Sequence, residues 1–153
     1  MDLPARYRDA ANDRLIALIA SSHEHLLGTS LVETEDVVAG LWECARPVVA
    51  HGTESDPLFF FANRVALEVF EAGLDAFVGM PSRLSAEAPL REEREAFMRR
   101  VRQSGFVDDY RGVRISLKGR RFMMTGGIVW NLVDNAGTVH GQAATFVPQP
   151  LEG

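Results

Sequence analysis

Hydrophobic positions in the first third of the chain recur at a helical period. Leu15, Leu18, Ile19 and Leu26 fall on one stripe, and Ile16 and Leu27 widen it, which predicts a long amphipathic helix. Gly28-Thr29 supplies its stop. A shorter helix follows, with Thr34 placed to cap it, Glu35 and Asp36 suited to the positive end of its dipole, and Val37, Val38 and Leu41 facing inward. Arg46-Pro47 closes it, because the residue before a proline avoids the helical region.

From Pro47 the pattern changes. Pro47 to His51 is a short β-rich run, 51–57 is a polar turn, and Leu58 to Ala62 is an apolar run of strand length. Asn63 is placed as the cap of a helix carrying Val65, Ala66, Val69 and Phe70, which Gly73 ends. A helical turn around Leu74 to Val78 leads into the polar loop Pro81 to Glu87. Pro89 opens the next helix, whose inner face is Leu90, Phe97, Met98 and Val101 and whose end is Gly105. The last third reads as a strand meander. Phe106 to Leu117 places Val113, Ile115 and Leu117 on one side and Arg114 and Ser116 on the other. Phe122 to Val133 carries Ile128, Trp130 and Leu132 on one side, with Gly126-Gly127 marking a bulge or a close backbone approach. The turn at 134–137 joins it to a final strand from Thr138 to Val147.

This order predicts an α+β domain. Its five-stranded antiparallel sheet carries helices on one face and is preceded by two N-terminal helices. Residues 1–45 form the helical extension, packed on the domain or on a partner, and residues 46–148 form the domain proper.

Composition narrows the function classes. The 153 residues suit one domain with a sizeable core, and 46% hydrophobic with 24% charged residues is a globular balance. A net charge of -5 and the lack of a basic stripe argue against nucleic acid and anionic lipid as partners. The single cysteine, Cys44, closes no internal disulfide. Met1 to Ala11 is polar, and no apolar stretch approaches the roughly 20 residues that span a bilayer. The expected compartment is the cytoplasm.

Several motifs stand on these elements: His51-Gly52-Thr53, Asp56-Pro57, Phe60-Phe61-Ala62-Asn63, the run from Pro81 to Glu87, Gly105-Phe106, Gly112 to Ser116 with Gly119 to Phe122, and Trp130-Asn131-Leu132 followed by His140 to Ala143. Together, from about His51 to Phe146, they resemble the MEKHLA domain family, which is PAS-like. The resemblance implies five antiparallel strands, helices across one face, a cavity between them, and a sensory or dimerising role. Within that resemblance, a covalent flavin site would need a cysteine on the short helices, and 63–87 has none. A haem site would usually draw a histidine from the longer helix, and 89–104 has none. Covalent flavin and haem are therefore disfavoured, a non-covalent small molecule remains open, and the cofactor is unknown.

Candidate chemistry is sparse. His23 and His25 lie about 200° apart on a helix, so they cannot clamp one metal, and both are expected to be solvated. His51 either bonds across its turn to Asp56 or lines a pocket. Arg83 has two open roles: it holds a ligand carboxylate or phosphate, or it pins its loop through Glu87 or Asp109. Asp108 and Asp109 point to opposite faces and suit an edge salt-bridge ladder with Arg111 and Arg114. Trp130 either stacks on a ligand or is core, Gln142 suits a ring-edge contact, and Asn63 is expected to be a helix cap. The expected cavity is lined by Phe59, Phe61, Leu84, Trp130 and Gln142 with Arg83 at its mouth, and His51, Asn63, Ser82, Ser85 and Arg114 complete the candidate set. The expected protein is a non-enzymatic ligand-binding sensory module. The alternative is a homodimerising module that uses the apolar face of the first helix, and an enzyme on an α+β scaffold ranks behind both.

Overall fold

The computed structural model describes residues 2–151, apart from the side chains of residues 88–91 and 94. Leu90, expected on the inner face of the last helix, therefore lies outside the described side chains. The chain runs through a 3-10 turn at Ala5–Arg8 and then α1 (Ala10–Leu27), α2 (Val37–Glu43), β1 (Val48–His51) and β2 (Phe59–Ala62). It continues through α3 (Arg64–Val69), α4 (Leu74–Phe77), a 3-10 turn at Ser82–Ser85, α5 (Ala88–Ser104), β3 (Phe106–Ile115), β4 (Arg121–Val133) and β5 (Val139–Pro150). The described residues form one antiparallel sheet in the order β2-β1-β5-β4-β3. The last three strands are sequence neighbours, but β1 inserts beside β5, so the last strand lies at the sheet's centre.

Local chemistry accounts for most boundaries. Gly28 ends α1 in the left-handed conformation, φ 76°, and its N–H reaches Glu24 O. The cap of α2 is Asp36, whose carboxylate accepts from Ala39 N, and not Thr34, whose hydroxyl donates instead to Asp36 O at 2.9 Å. A carboxylate two residues closer to the helix simply has the better geometry. The glycine pair on β4 is the expected bulge: the register shifts between Thr125 and Ile128, and a Cβ on Gly127 would lie 3.0 Å from Tyr110 O.

Register divides the side chains between two faces. Val129, Ala144 and Val49 are paired across three strands, as are Asn131, Gln142 and His51. This set faces α3–α5. Trp130, Ala143, Ala50 and Phe61 form the alternate set and face the N-terminal segment. On the first face Phe59 stacks on Phe77 at 4.4 Å, and Phe70 meets Phe77 and Phe122 at 5.2 and 5.3 Å. On the second, Tyr7 packs on Phe61 and Trp42, while Ile16 and Ile19 of α1 are fully buried. Helices thus cover both faces. α3–α5 cover the expected one, and the N-terminal helix α1 lies on its own sheet.

His23 corrects the expectation of two solvated histidines. It is buried, with Nδ1 donating to Thr29 O at 2.9 Å and its ring edge-on to Trp130 at 4.9 Å. Its stripe continues that of Ile16 and Ile19, and the loop carbonyl after Gly28 satisfies the one polar contact it needs. His25 is exposed as expected.

Tyr7 fixes the N-terminal segment to edge strand β2. Its hydroxyl donates to Ala62 O at 2.9 Å and accepts from Ala62 N at 3.1 Å, which closes two backbone groups that an edge strand would otherwise leave open. Burial pushes its pKa up from 10.0 to about 12. Tyr7→Phe orphans both backbone groups and is expected to cost about 1–3 kcal/mol. Because the folded-state pKa is raised, the hydroxyl's contribution is complete below pH 10 and is lost as pH rises through about 12. Urea midpoints of wild type and Tyr7→Phe should therefore differ at neutral pH and converge over that alkaline interval. Equal midpoints at pH 7 would refute the role.

Candidate functional site

Between the sheet and α3–α5 a narrow cavity remains, with about 30 Å³ in which the centre of a water molecule can move. Its walls include Val49, Phe59, Phe70, Met98, Met124 and Val129, so it is mainly apolar. Polar groups enter from four places: His51 at the end of β1, Ser85 on the 3-10 turn, Arg114 on β3 and Gln142 on β5.

Each of these is held by its neighbours. His51 sits opposite Gln142 in the ladder, and its Nδ1 donates to Gly52 O at 3.0 Å. Gly141 is what permits that pairing, since at φ 148° a Cβ there would lie 2.0 Å from His51 O. Ser85 is buried and its hydroxyl donates to Ser82 O at 2.7 Å. Gln142 Nε2 donates to Asn131 Oδ1 at 3.2 Å and to Met98 O on α5 at 3.3 Å. Asn131 Nδ2 in turn donates to Val101 O at 3.2 Å. Two amides from adjacent strands thus tie the sheet to two carbonyls of α5. Gln142 Oε1 is buried, with no hydrogen-bond partner among the described residues.

Arg114 is only 4% exposed. The polar side of the β3 alternation is the one that turns inward: Arg114 and Ser116 are buried, while Leu117 on the apolar side is exposed. The Arg114 guanidinium donates from Nη1 to Val113 O at 2.9 Å and from Nη2 to the Tyr110 hydroxyl at 3.0 Å, and it lies over the Tyr110 ring. Tyr110 stacks on Phe97 of α5 at 3.9 Å, which sets the arginine beneath the helix. No carboxylate among the described residues pairs with it.

Other expected site residues lie elsewhere. Phe61 and Trp130 are on the opposite face of the sheet. Phe61 packs on Tyr7, and Trp130 Nε1 donates to Ile19 O of α1 at 3.0 Å. Both are therefore core contacts of the N-terminal segment and do not line the cavity. Leu84 points outward and is 40% exposed, because the 3-10 turn buries Ser82 and Ser85 instead. Arg83 pairs with Asp56 at 3.2 Å, and not with Glu87, which meets Arg121, or with Asp109. This pair borders a polar cleft of about 370 Å³ that shares His51 and Met98 with the cavity. Asp56 is thus committed to Arg83 and not to His51. Asp108 and Asp109 are exposed and form no salt-bridge ladder among the described residues. Asp109 instead sits at φ 54° where the β3 register shifts.

Asn63 is more than a cap. Its Oδ1 accepts from Ala66 N and Val48 N, both at 3.0 Å, and its Nδ2 donates to Leu41 O, Cys44 O and Arg46 O at 3.1, 3.3 and 2.8 Å. One fully buried amide joins α2, β1 and α3. The residues that sequence reasoning missed are Tyr110, Met98 and Met124. A usable signal was the parity that places Tyr110, Gly112, Arg114 and Ser116 on one side of a strand. Among the described residues no group of three or more His, Cys, Asp or Glu could hold a metal ion, and no helix is long and apolar enough to cross a membrane.

The sheet order, the helical cover and the intervening cavity define a PAS-like domain. Solved structures share the fold. A PAS domain from Colwellia psychrerythraea superimposes with TM-score 0.64 at 8% identity, covering 74% of this chain and 92% of that one. An RNA-binding light-oxygen-voltage receptor gives 0.63 at 14% identity, covering 73% of this chain and 32% of that one. A light-oxygen-voltage domain studied with a flavin analogue gives 0.58 at 14%, covering 73% and 83%. The MEKHLA domain model matches residues 13–149, and the chain belongs to that family. Homeobox-leucine zipper protein HOX10 of Oryza sativa, in both the indica and japonica subspecies, is 23% identical over 134 residues, which is 84% of this chain and 16% of the rice protein. The chain therefore spans about a sixth of those relatives.

If Asn63 were only a cap, Asn63→Asp would be nearly neutral, since aspartate caps as well as asparagine. The amide hub predicts a loss of about 3 kcal/mol, because a carboxylate would face three carbonyl oxygens that now receive a donor. Chemical denaturation of the two proteins decides between these outcomes.

Proposed function

We propose that this chain is a sensory or regulatory module that binds a small molecule non-covalently in the cavity between sheet and α5, and that it acts by binding and not by turnover. The observation that carries the reading is Gln142. Its side chain forms part of the cavity wall, holds α5 through the Met98 carbonyl, and retains a buried acceptor without a partner. A buried amide oxygen left unsatisfied is costly, and a ligand or water that donates to it removes the cost. A molecule that drew Gln142 towards itself would weaken the Asn131–Gln142 tie to α5, so occupancy and helix position are linked through one side chain.

Cavity size restricts the ligand. Pockets for drug-sized molecules run to roughly 300–1,000 Å³. With about 30 Å³ of free space between Phe59, Phe70 and Met98, the cavity is far too small for a flavin ring, so the residues present do not fit that cofactor. The homodimer reading rested on the apolar face of α1, and that face packs on β4 of the same chain.

Native mass spectrometry of freshly purified protein, with a thermal-shift screen of small polar metabolites, tests the proposal. At least one compound of a few heavy atoms should raise the melting temperature of wild type. Gln142→Leu, which keeps the volume and removes the amide, should lose that response. A screen without any hit, together with a mass spectrum of bare protein, would reject the reading.

A further inference from the structure

Resting on that reading, we infer that the cavity selects a small oxyanion that also carries a hydroxyl donor, with a short hydroxycarboxylate as the favoured source. Three groups on its wall specify this chemistry. Arg114 brings a full positive charge into an environment where it is 4% exposed, with no acidic partner among the described residues. Among the described residues, two donors of its fork are engaged, by Val113 O and the Tyr110 hydroxyl. Glu93 borders the open groove on the far side of Arg114 but forms no ion pair with it. An isolated buried cation is unfavourable, whereas one that meets an oxyanion through charge-assisted hydrogen bonds is among the stronger polar contacts proteins make.

The other two groups set the neutral end. Gln142 commits its amide N–H groups to Asn131 and Met98, so towards the cavity it offers an acceptor. Ser85 commits its hydroxyl proton to Ser82 O and can likewise only accept. A ligand satisfying all three therefore presents anionic oxygen to Arg114 and an O–H to Gln142 or Ser85. Carbon between these groups suits the apolar walls at Val49, Met98 and Val129. Hydrogen phosphate offers the same polar pattern without the carbon.

Titration calorimetry and thermal shift with glycolate, lactate, acetate, glycolamide and inorganic phosphate separate the possibilities. Glycolate or lactate should bind, acetate should bind several-fold more weakly, and neutral glycolamide should not bind. Phosphate binding with carboxylates inert would keep the oxyanion site but assign it to the inorganic source. Arg114→Met should weaken glycolate at least tenfold while its ligand-free melting temperature stays level with wild type or rises. Arg114→Lys, which keeps the charge without the fork, should bind at an intermediate level and serves if the methionine variant does not fold. The inference is overturned if glycolamide matches glycolate. It is also overturned if neither a hydroxycarboxylate nor phosphate binds, and Arg114→Met melting well below wild type would then make the arginine structural. A neutral metabolite that binds and depends on Gln142 would remove the anion while leaving the small-molecule reading intact.

Discussion

Two adjacent side chains on β4 pull in opposite directions, and the domain is organised around that opposition. Trp130 reaches one way to the Ile19 carbonyl of α1, and Asn131 reaches the other way to the Val101 carbonyl of α5. Strand alternation dictates that neighbours face opposite sides, so a single dipeptide fixes a helix on each face of the sheet. Each contact is a buried side-chain N–H donating to a helix carbonyl, and neither can be lost without leaving the donor stranded away from water. The β4 backbone adds a third tie, from Asn131 N to Gly105 O at 2.8 Å, where α5 turns into β3.

The two faces so created are not equivalent. The N-terminal face is closed by complementary packing: Tyr7, Trp42, Phe61, Ile16, Ile19 and Trp130 fill it, and the Tyr7 hydroxyl and Trp130 Nε1 find backbone partners. The α5 face is closed partly by polar groups. Arg114 with Tyr110, and Gln142 with Asn131, occupy positions where aliphatic residues would pack at lower cost. A core that retains such groups around a small void carries more polarity than its stability requires, and binding is the use proposed for it. Arg83, expected at the mouth of the cavity, instead pairs with Asp56 beside the adjoining cleft, and this well-exposed pair adds little stability.

The N-terminal segment is also more than an appendage. Tyr7 closes the edge of β2, and the Asn63 amide collects three carbonyls from around the end of α2, so the segment and the sheet share hydrogen bonds as well as apolar contacts. His23, continuing the α1 stripe onto Trp130, belongs to the same seam.

Periodicity and turn chemistry alone were enough to place the helices, the strands, the glycine bulge and the 134–137 turn. These are local properties: a stripe, an alternation, a left-handed glycine. The partners of the polar residues were not legible, because they depend on which distant backbone arrives alongside. Nothing near Arg83 in sequence points to Asp56, nothing near His23 points to Trp130, and, the Ala66 cap bond aside, the hydrogen bonds of Asn63 come from segments that meet only in the fold. The inward turn of Arg114 also went against the ordinary expectation for a Val-Arg-Ile-Ser alternation. Hydrophobic pattern decides which elements form, whereas the face each strand presents is settled by sheet register and by the helices that close over it, and it was that closure which put a charged side chain beside the cavity.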